Sequence, residues 1–294
     1  MVRQFLEHGL PLYSRLCAII LLGALFIVIS YLLLHGLRTI NLSLIFGTTP
    51  PLDALLMKRH VLDGLYPAVA GTFLLVILSV GWAIPVGVAA GIYMAEYAGP
   101  SCKAVLDVFF DIMAGLPSIV IGLFGFAVAV FLNKNFSGRI QPCLLISSLA
   151  LGVLVLPYLI RTTQIALESL PAVTRMTALS LGASPLQNIV HVLLPQALPG
   201  IFSGIILSIG RCAEDTAVIM LTGAVASAGI PRSLLSHYEA LPFYIYYISS
   251  QYADQRELAT GYGAALILLA VCLALFVPAL LIRKKVAWRA FIGV

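Results

Sequence analysis

Six runs of roughly 20 mostly apolar residues, each long enough to cross a bilayer core as a helix, constrain this chain more than any other feature. They are Leu16–Leu34, Tyr66–Tyr93, Leu106–Leu132, Cys143–Leu167, Ile201–Thr222 and Gly261–Ile282. Water could not cover them. Of the 294 residues 61% are hydrophobic and 10% charged, against about 25% charged in a soluble domain, and mean hydropathy is +1.05. The sequence predicts an all-α membrane protein with six transmembrane helices. The first run exceeds a signal-peptide core and ends in Tyr31-Leu32-Leu33-Leu34-His35 with no small-residue cleavage site, so it reads as a retained span.

An even number of spans puts both termini on one side. Arg283, Lys284, Lys285 and Arg289 cluster after the last run, and Arg3 and Arg15 precede the first. Basic ends face the cytoplasm, which predicts both termini there. Arg38, Lys58, Arg59, Arg232 and Arg256 fall on the other side. The net charge of +5 belongs to these ends and not to a nucleic-acid surface. The expected organisation is a cytoplasmic N-terminus (1–15), a first span with an outer loop bearing a short helix (16–65), a transmembrane domain (66–285) and a cytoplasmic tail (286–294). Lys134 and Arg139 mark a turn between the third and fourth spans. Thr222–Thr260 reads as a long mixed loop. The five cysteines form no C-x-x-C pair and read as small apolar thiols. No metal, redox site or cofactor is expected.

Within the spans, small residues recur at helical spacing: Gly87 and Gly91, then Gly200, Gly204 and Ser208. Such stripes let helix backbones approach closely in lipid. The stretch 114–126, AGLPSIVIGLFGF, puts a proline and glycines inside the third span, as either a simple kink or a bend lining a path. It is the one broken span the sequence suggests.

A different kind of segment, SLGASPLQNIVHVLLPQALPG (180–200), separates the fourth and fifth spans. Leu186, Ile189, Val190, Leu193 and Leu194 share one helical face, with Gln187, Asn188 and His191 off it. Ser184 suits an N-cap before Pro185. Gly182 suits the turn from a short helix near Val173–Leu181. Pro195 and Pro199 are expected to end the element before the fifth span. The whole reads as two short helices lying across the cytoplasmic ends of the spans, as a docking surface for a soluble partner or as a plain interfacial helix.

Two arginines lie inside spans, where an unpaired charge costs at least about 2.5 kcal/mol. Arg161, Gln164 and Glu168 share one helical face. Ser208, Arg211 and Asp215 share another, with Glu214 beside them. Two readings stand: an anion path, for which the guanidinium fork is suited, or structural Arg–carboxylate ties between helices. Asp107 and Asp111, one turn apart, read as interfacial. No G-x-x-x-x-G-K, H-E-x-x-H or G-x-S-x-G occurs, so the chain itself is not expected to be an enzyme.

The loop resembles that of ABC-importer permeases, whose pattern is Glu-Ala-Ala, three residues, Gly, nine residues, Ile-x-Leu-Pro. Here Met176-Thr177-Ala178, Gly182 and Val192-Leu193-Leu194-Pro195 occupy those places. More specifically, MAGLPSIVIGLFGF, LPYLIRTTQIALESLP, LPQALPGIFSGIILSIGR and LPFYIYYISSQYADQRELATGYGAALIL, over roughly 66–285, resemble the PstA-type permease of phosphate importers. That family reads Arg-Thr-Thr-Glu and Arg-Ala-x-Gly-Glu-Thr-Ala where this chain has Arg161-Thr162-Thr163-Gln164 and Arg211-Cys212-Ala213-Glu214-Asp215-Thr216-Ala217. The resemblance implies the type I ABC-importer fold and a substrate path past Arg161, Gln164, Ser208, Arg211, Glu214 and Asp215. It implies a coupling loop at Met176, Thr177, Ala178, Gly182, Val192, Leu194 and Pro195. It also implies a PstC-like second permease, two copies of a PstB-like ATPase and an extracytoplasmic PstS-like phosphate-binding protein. A sulfate- or molybdate-like importer permease is the alternative within that class, and an ion-coupled secondary transporter the alternative outside it.

Overall fold

A computed structural model describes residues 2–50, 64–136 and 140–292, with side chains over 10–50, 64–136 and 140–285. Lys58, Arg59 and Arg139, which bear on topology, lie outside the described residues, as do the side chains of Arg3 and Arg289. The fold is helical, and among the described residues the only strand-like pairing is the single bridge Ala224–Tyr238. In chain order the helices are α1 (Val2–Gly36), α2 (Leu42–Phe46), α3 (Tyr66–Ile92), α4 (Pro100–Gly115), α5 (Ser118–Asn135), α6 (Leu144–Glu168), α7 (Ala172–Ser180), α8 (Pro185–Asn188), α9 (Leu194–Glu214), α10 (Ala217–Thr222), α11 (Leu241–Gln251) and α12 (Gln255–Ile292). Two π-turns, Tyr93–Tyr97 and Ile189–Leu193, extend α3 and join α8 to α9. Among the described residues six helical stretches are long and apolar enough to span a membrane.

The fourth span, α6, is the axis of the bundle, and small residues explain why. A methyl group at Gly91 of α3 would lie 2.5 Å from Thr163 Cβ and 2.8 Å from the Ile160 carbonyl of α6. One at Gly87 would lie 2.6 Å from Leu159 Cβ. On another face of α6, α9 places Gly200 on Ala166 and Gly204 on Thr162. The Trp82 ring of α3 covers Gly152, and its Nε1 donates to the Ser148 carbonyl at 3.1 Å. Leu151, Val155 and Leu159 are consequently buried in one core with Leu75, Ala83 and Ile219. Both glycine stripes read from the sequence are thus interhelical contacts.

The spans differ from the expected ones in four places. The third expected span is two helices, α4 and α5, separated by extended Leu116 (φ −68°, ψ 131°) and Pro117 (φ −59°, ψ 136°). Proline drives its predecessor out of helical ψ, so a true break replaces a kink. The fifth expected span breaks as well, a second interruption the sequence reading missed. There α9 stops at Glu214, Asp215 is extended (φ −73°, ψ 122°), and its carboxylate accepts from the Val218 N–H at 2.8 Å to cap α10. Pro195 and Pro199 do not end an element: Pro195 stands in the first turn of α9, where its missing N–H is tolerated, and α9 continues through Pro199 to Glu214. Finally, the sixth span starts earlier, at Gln255. Asp254 Oδ1 accepts from Glu257 N and Glu257 Oε2 from Ala253 N, both at 2.7 Å, a reciprocal cap. It also runs helically to Ile292 through the expected tail.

The long segment after α10 is folded down onto the bundle. Leu144 and Leu145 N–H groups donate to the Ser236 and Leu234 carbonyls at 3.1 and 2.8 Å. Buried Glu239 accepts from Gly229 N at 2.7 Å. Burial raises the Glu239 pKa above the ordinary carboxylate range, and the Gly229 and Ala228 N–H groups only partly oppose it. A raised folded-state pKa means that the loop is most stable below the ordinary carboxylate range and loses stability as pH rises through the folded value. Glu239→Gln keeps the acceptor and cannot ionise. Hydrogen exchange over 225–237 is therefore expected to be alike in the two proteins at low pH and slower in Glu239→Gln at high pH, compared at each pH.

Candidate functional site

Relative depth follows from the packing. Because α9 runs antiparallel to α6 with Gly200 on Ala166 and Gly204 on Thr162, Arg211 comes level with Val155, near the middle of α6. Arg161 lies about 9 Å away along the axis, toward the end carrying α7 and α8, at ~1.5 Å per residue. On the other flank, Gly125 of α5 packs against Ala150, so the Leu116–Pro117 break also comes level with the middle of α6. The starts of α5 and α10 touch: a methyl at Gly122 would lie 3.0 Å from the Ala217 carbonyl. Both helix breaks and one arginine therefore share the mid-depth of the bundle.

The two arginines have different surroundings. Arg161 has both terminal nitrogens paired. It donates to Asp107 Oδ1, to the Asp107 carbonyl at 2.9 Å, to Asp111 Oδ1 at 2.6 Å and to Gln164 Oε1 at 3.2 Å. The sequence reading missed Asp107 and Asp111 as its partners, although their one-turn spacing was a usable signal. Gln164 in turn donates to Glu168 at 3.1 Å, and Glu168 takes Lys103 at 2.5 Å. Arg161, Gln164 and Glu168 are thus brought together as their spacing implied. Among the described residues Arg211 makes one local ion pair, to Glu214 at 2.9 Å, and its buried Nε has no hydrogen-bond partner. Ser208 is buried and donates to the Gly204 carbonyl at 2.9 Å. Asp215 lies past the helix end as the α10 cap. The Asp215 carboxylate takes the Val218 N–H while Arg211 pairs with Glu214, so the close partner of Arg211 is Glu214 and not Asp215.

The loop between α6 and α9 forms as two short helices. α7 ends in a Schellman turn: Ala183 N donates to Ala178 O and Gly182 N to Leu179 O, both at 3.0 Å, with Gly182 at φ +88°. Ser184 caps α8 reciprocally with Gln187, accepting from its N–H at 3.3 Å while Ser184 N donates to Gln187 Oε1 at 2.8 Å. The expected apolar stripe is split. Ile189 and Leu193 are buried with Leu167 and Ala197, whereas Leu186 and Val190 stay exposed. Asn188, expected off the stripe, is buried and donates to the Arg175 carbonyl at 3.0 Å. The π-turn shifts the helical phase between α8 before it and α9 after it. Outside, Val173, Met176, Leu181 and Leu186 form an exposed apolar surface, with Thr177 exposed, Ala178 half-buried, and Val192, Leu194 and Pro195 half-buried beneath it. Arg175, also missed by the sequence reading, ties this loop to the bundle through Glu96 at 2.5 Å and the Leu167 carbonyl.

A bundle with six helical stretches long and apolar enough to span a membrane, a two-helix loop at one end and two helix breaks at mid-depth fits a membrane permease. The chain belongs to the binding-protein-dependent transport system inner membrane component family, whose model matches residues 87–287. It is 32% identical over 252 residues to the phosphate transport system permease protein PstA of Yersinia pestis, covering 85% of this chain and 81% of that one. It is 30% identical to PstA of Haemophilus influenzae, covering 86% of each, and 29% identical to the probable ABC transporter permease protein YqgI of Bacillus subtilis, covering 86% and 87%. Among solved structures, a bacterial ABC transporter involved in import of the acidic polysaccharide alginate superposes with TM-score 0.61 at 13% identity, covering 97% of this chain and 98% of that one. The MetNI methionine ABC transporter superposes with TM-score 0.57 at 18% identity, covering 81% and 99%. These two establish the ABC-importer permease fold.

Proposed function

We propose that the chain is one permease half of an ATP-driven inorganic phosphate importer. The observation that carries the reading is the exposed break at Leu116–Pro117, at the mid-depth of the bundle and level with Arg211. Irregular backbone in a hydrocarbon core needs protein or a water-filled path beside it. A second, PstC-like permease and a central path between the two halves answer both needs. The relatives named for phosphate transport supply the substrate class. Arg211, with a buried donor to spare, is the anion contact at that depth, and Glu214 keeps it from holding the anion too tightly. ATP hydrolysis comes from two PstB-like subunits seated on the surface around Met176, Thr177 and Gly182. A PstS-like protein delivers phosphate on the opposite side. Uptake of phosphate, sulfate and molybdate by cells carrying only this importer tests the substrate. Phosphate uptake unaffected by an excess of the other two is the expected result, and preferential uptake of sulfate or molybdate would overturn it.

Both termini and the α7–α8 loop face the cytoplasm. Gln187→Cys is expected to be labelled from that side by a membrane-impermeant thiol reagent, and His237→Cys from the other. Tyr238, next to it, would be a poor probe because it is fully buried. The reversed labelling pattern would refute the orientation.

Gly182→Val has room for its side chain, since nothing lies within 4 Å of where a methyl group at Gly182 would stand. Its cost is the left-handed backbone, about 1–2 kcal/mol. The variant is expected to insert and assemble, with several-fold weaker coupling of ATP hydrolysis to uptake. Coupling at the wild-type ratio would remove the turn from the docking mechanism.

A further inference from the structure

We propose that α4 is a hinged gate at the loop end of the transport path, held shut against α6 by one continuous polar ladder in which Gln164 is the positioning residue. The gate rests on the transport function proposed for the chain. None of the residues of α4 is buried. Its attachment to α6 is instead polar: Lys103 to Glu168, and Asp107 and Asp111 to Arg161. Both ends of the helix are hinges. Ala98 (ψ 121°) and Gly99 (ψ 159°) are extended before it, and Leu116 (ψ 131°) and Pro117 (ψ 136°) after it, so neither neighbouring helix continues into it.

Gln164 makes the two ion pairs one unit. Its amide oxygen accepts from Arg161 while its nitrogen donates to Glu168, and it is buried at 4% exposure. A carboxylate at this position could accept from Arg161 but could not donate to Glu168, and would set two negative groups one turn apart. The ladder also meets the docking loop. Arg175 of α7 bonds Glu96, at the foot of α3 just before the first hinge, and the Leu167 carbonyl, beside the last rung. A shift of α7 on its partner therefore reaches both the hinge and the end of the latch.

The test uses the assembled importer in lipid nanodiscs. Asp107→Asn with Asp111→Asn leaves Arg161 without its carboxylates. Hydrogen exchange over 100–115 is expected to rise about tenfold with 144–168 little changed, as for a locally opened unit. Phosphate uptake is expected to fall while ATP hydrolysis continues. Gln164→Glu is expected to raise exchange at the Lys103 end of α4. Should the double variant fail to assemble, Lys103→Met weakens one rung at a half-exposed side chain and is read over 100–106 in the same way. Unchanged exchange in the variants would overturn the latch. Raised exchange with wild-type uptake would overturn the gate. Exchange needs no substrate, so the latch remains readable even if the phosphate reading fails.

Discussion

Arg211→Gln is expected to cut phosphate uptake roughly 10- to 100-fold in kcat/KM, the equivalent of a hydrogen bond to a charged group at ~1.5–3 kcal/mol, while the importer stays assembled. Arg211 sits one turn before the α9 break, at the depth of both interruptions, with its Nε buried and without a partner among the described residues. A substrate oxyanion can use that donor, and Gln removes the fork and the charge together. Arg211→Lys keeps the charge but loses the planar fork, so its loss should be smaller, about 5-fold. The control for a merely structural pair is set by the observed partner. Arg211 pairs with Glu214, and Asp215 serves α10, so the compensating change is Glu214→Gln and not Asp215→Asn. If Arg211 only neutralised Glu214, then Arg211→Gln with Glu214→Gln would transport normally. A contact with the anion predicts a double variant that assembles and remains impaired.

The largest expected effect on stability is Gly91→Leu. A first side-chain carbon there would lie 2.8 Å from the Ile160 carbonyl and 2.5 Å from Thr163 Cβ, and backbone inside the central helix cannot yield. Overpacking of this kind costs about 1–3 kcal/mol when neighbours repack and more when a backbone must move. Little detergent-stable protein should be recovered. Gly81→Leu on the same helix is the control, because Gly81 is exposed with nothing within 4 Å of such a carbon. Equal yields of the two variants would show that α3 and α6 are not held by this seam.

What could be read in the sequence was what local chemistry dictates. Apolar runs gave the spans, Gly87, Gly91, Gly200 and Gly204 the helix contacts, and Ser184 with Gly182 the loop turns. Three features were illegible because they depend on backbone phase or on partners distant in sequence. The π-turn at Ile189–Leu193 carries no composition signal, so the unbroken run from α8 into α9 could not be foreseen, and the burial of Asn188 depends on the Arg175 carbonyl that the folded loop brings to it. The α9 break at Asp215 carries no proline or glycine, and the aspartate that makes it by capping α10 looked like a counter-ion for Arg211. The partners of Arg161 lie about 50 residues away in sequence, at Asp107 and Asp111, and only the fold of α4 against α6 brings them to it. Of the expected path residues, Arg161 and Gln164 came together in a ladder with Glu168, while Arg211 was left beside Glu214 with a buried Nε that has no partner among the described residues.

ATP-driven movement of phosphate through a path that this chain half encloses is the central claim. The direct measurement is phosphate accumulation in proteoliposomes containing the assembled importer, with the delivering binding protein added on the side opposite the α7–α8 loop and ATP supplied on the loop side. Accumulation that requires both ATP and the binding protein, and that falls at least roughly 10-fold in Arg211→Gln, is the predicted result. Accumulation that persists without ATP, or ATP-driven uptake untouched by Arg211→Gln, would contradict it.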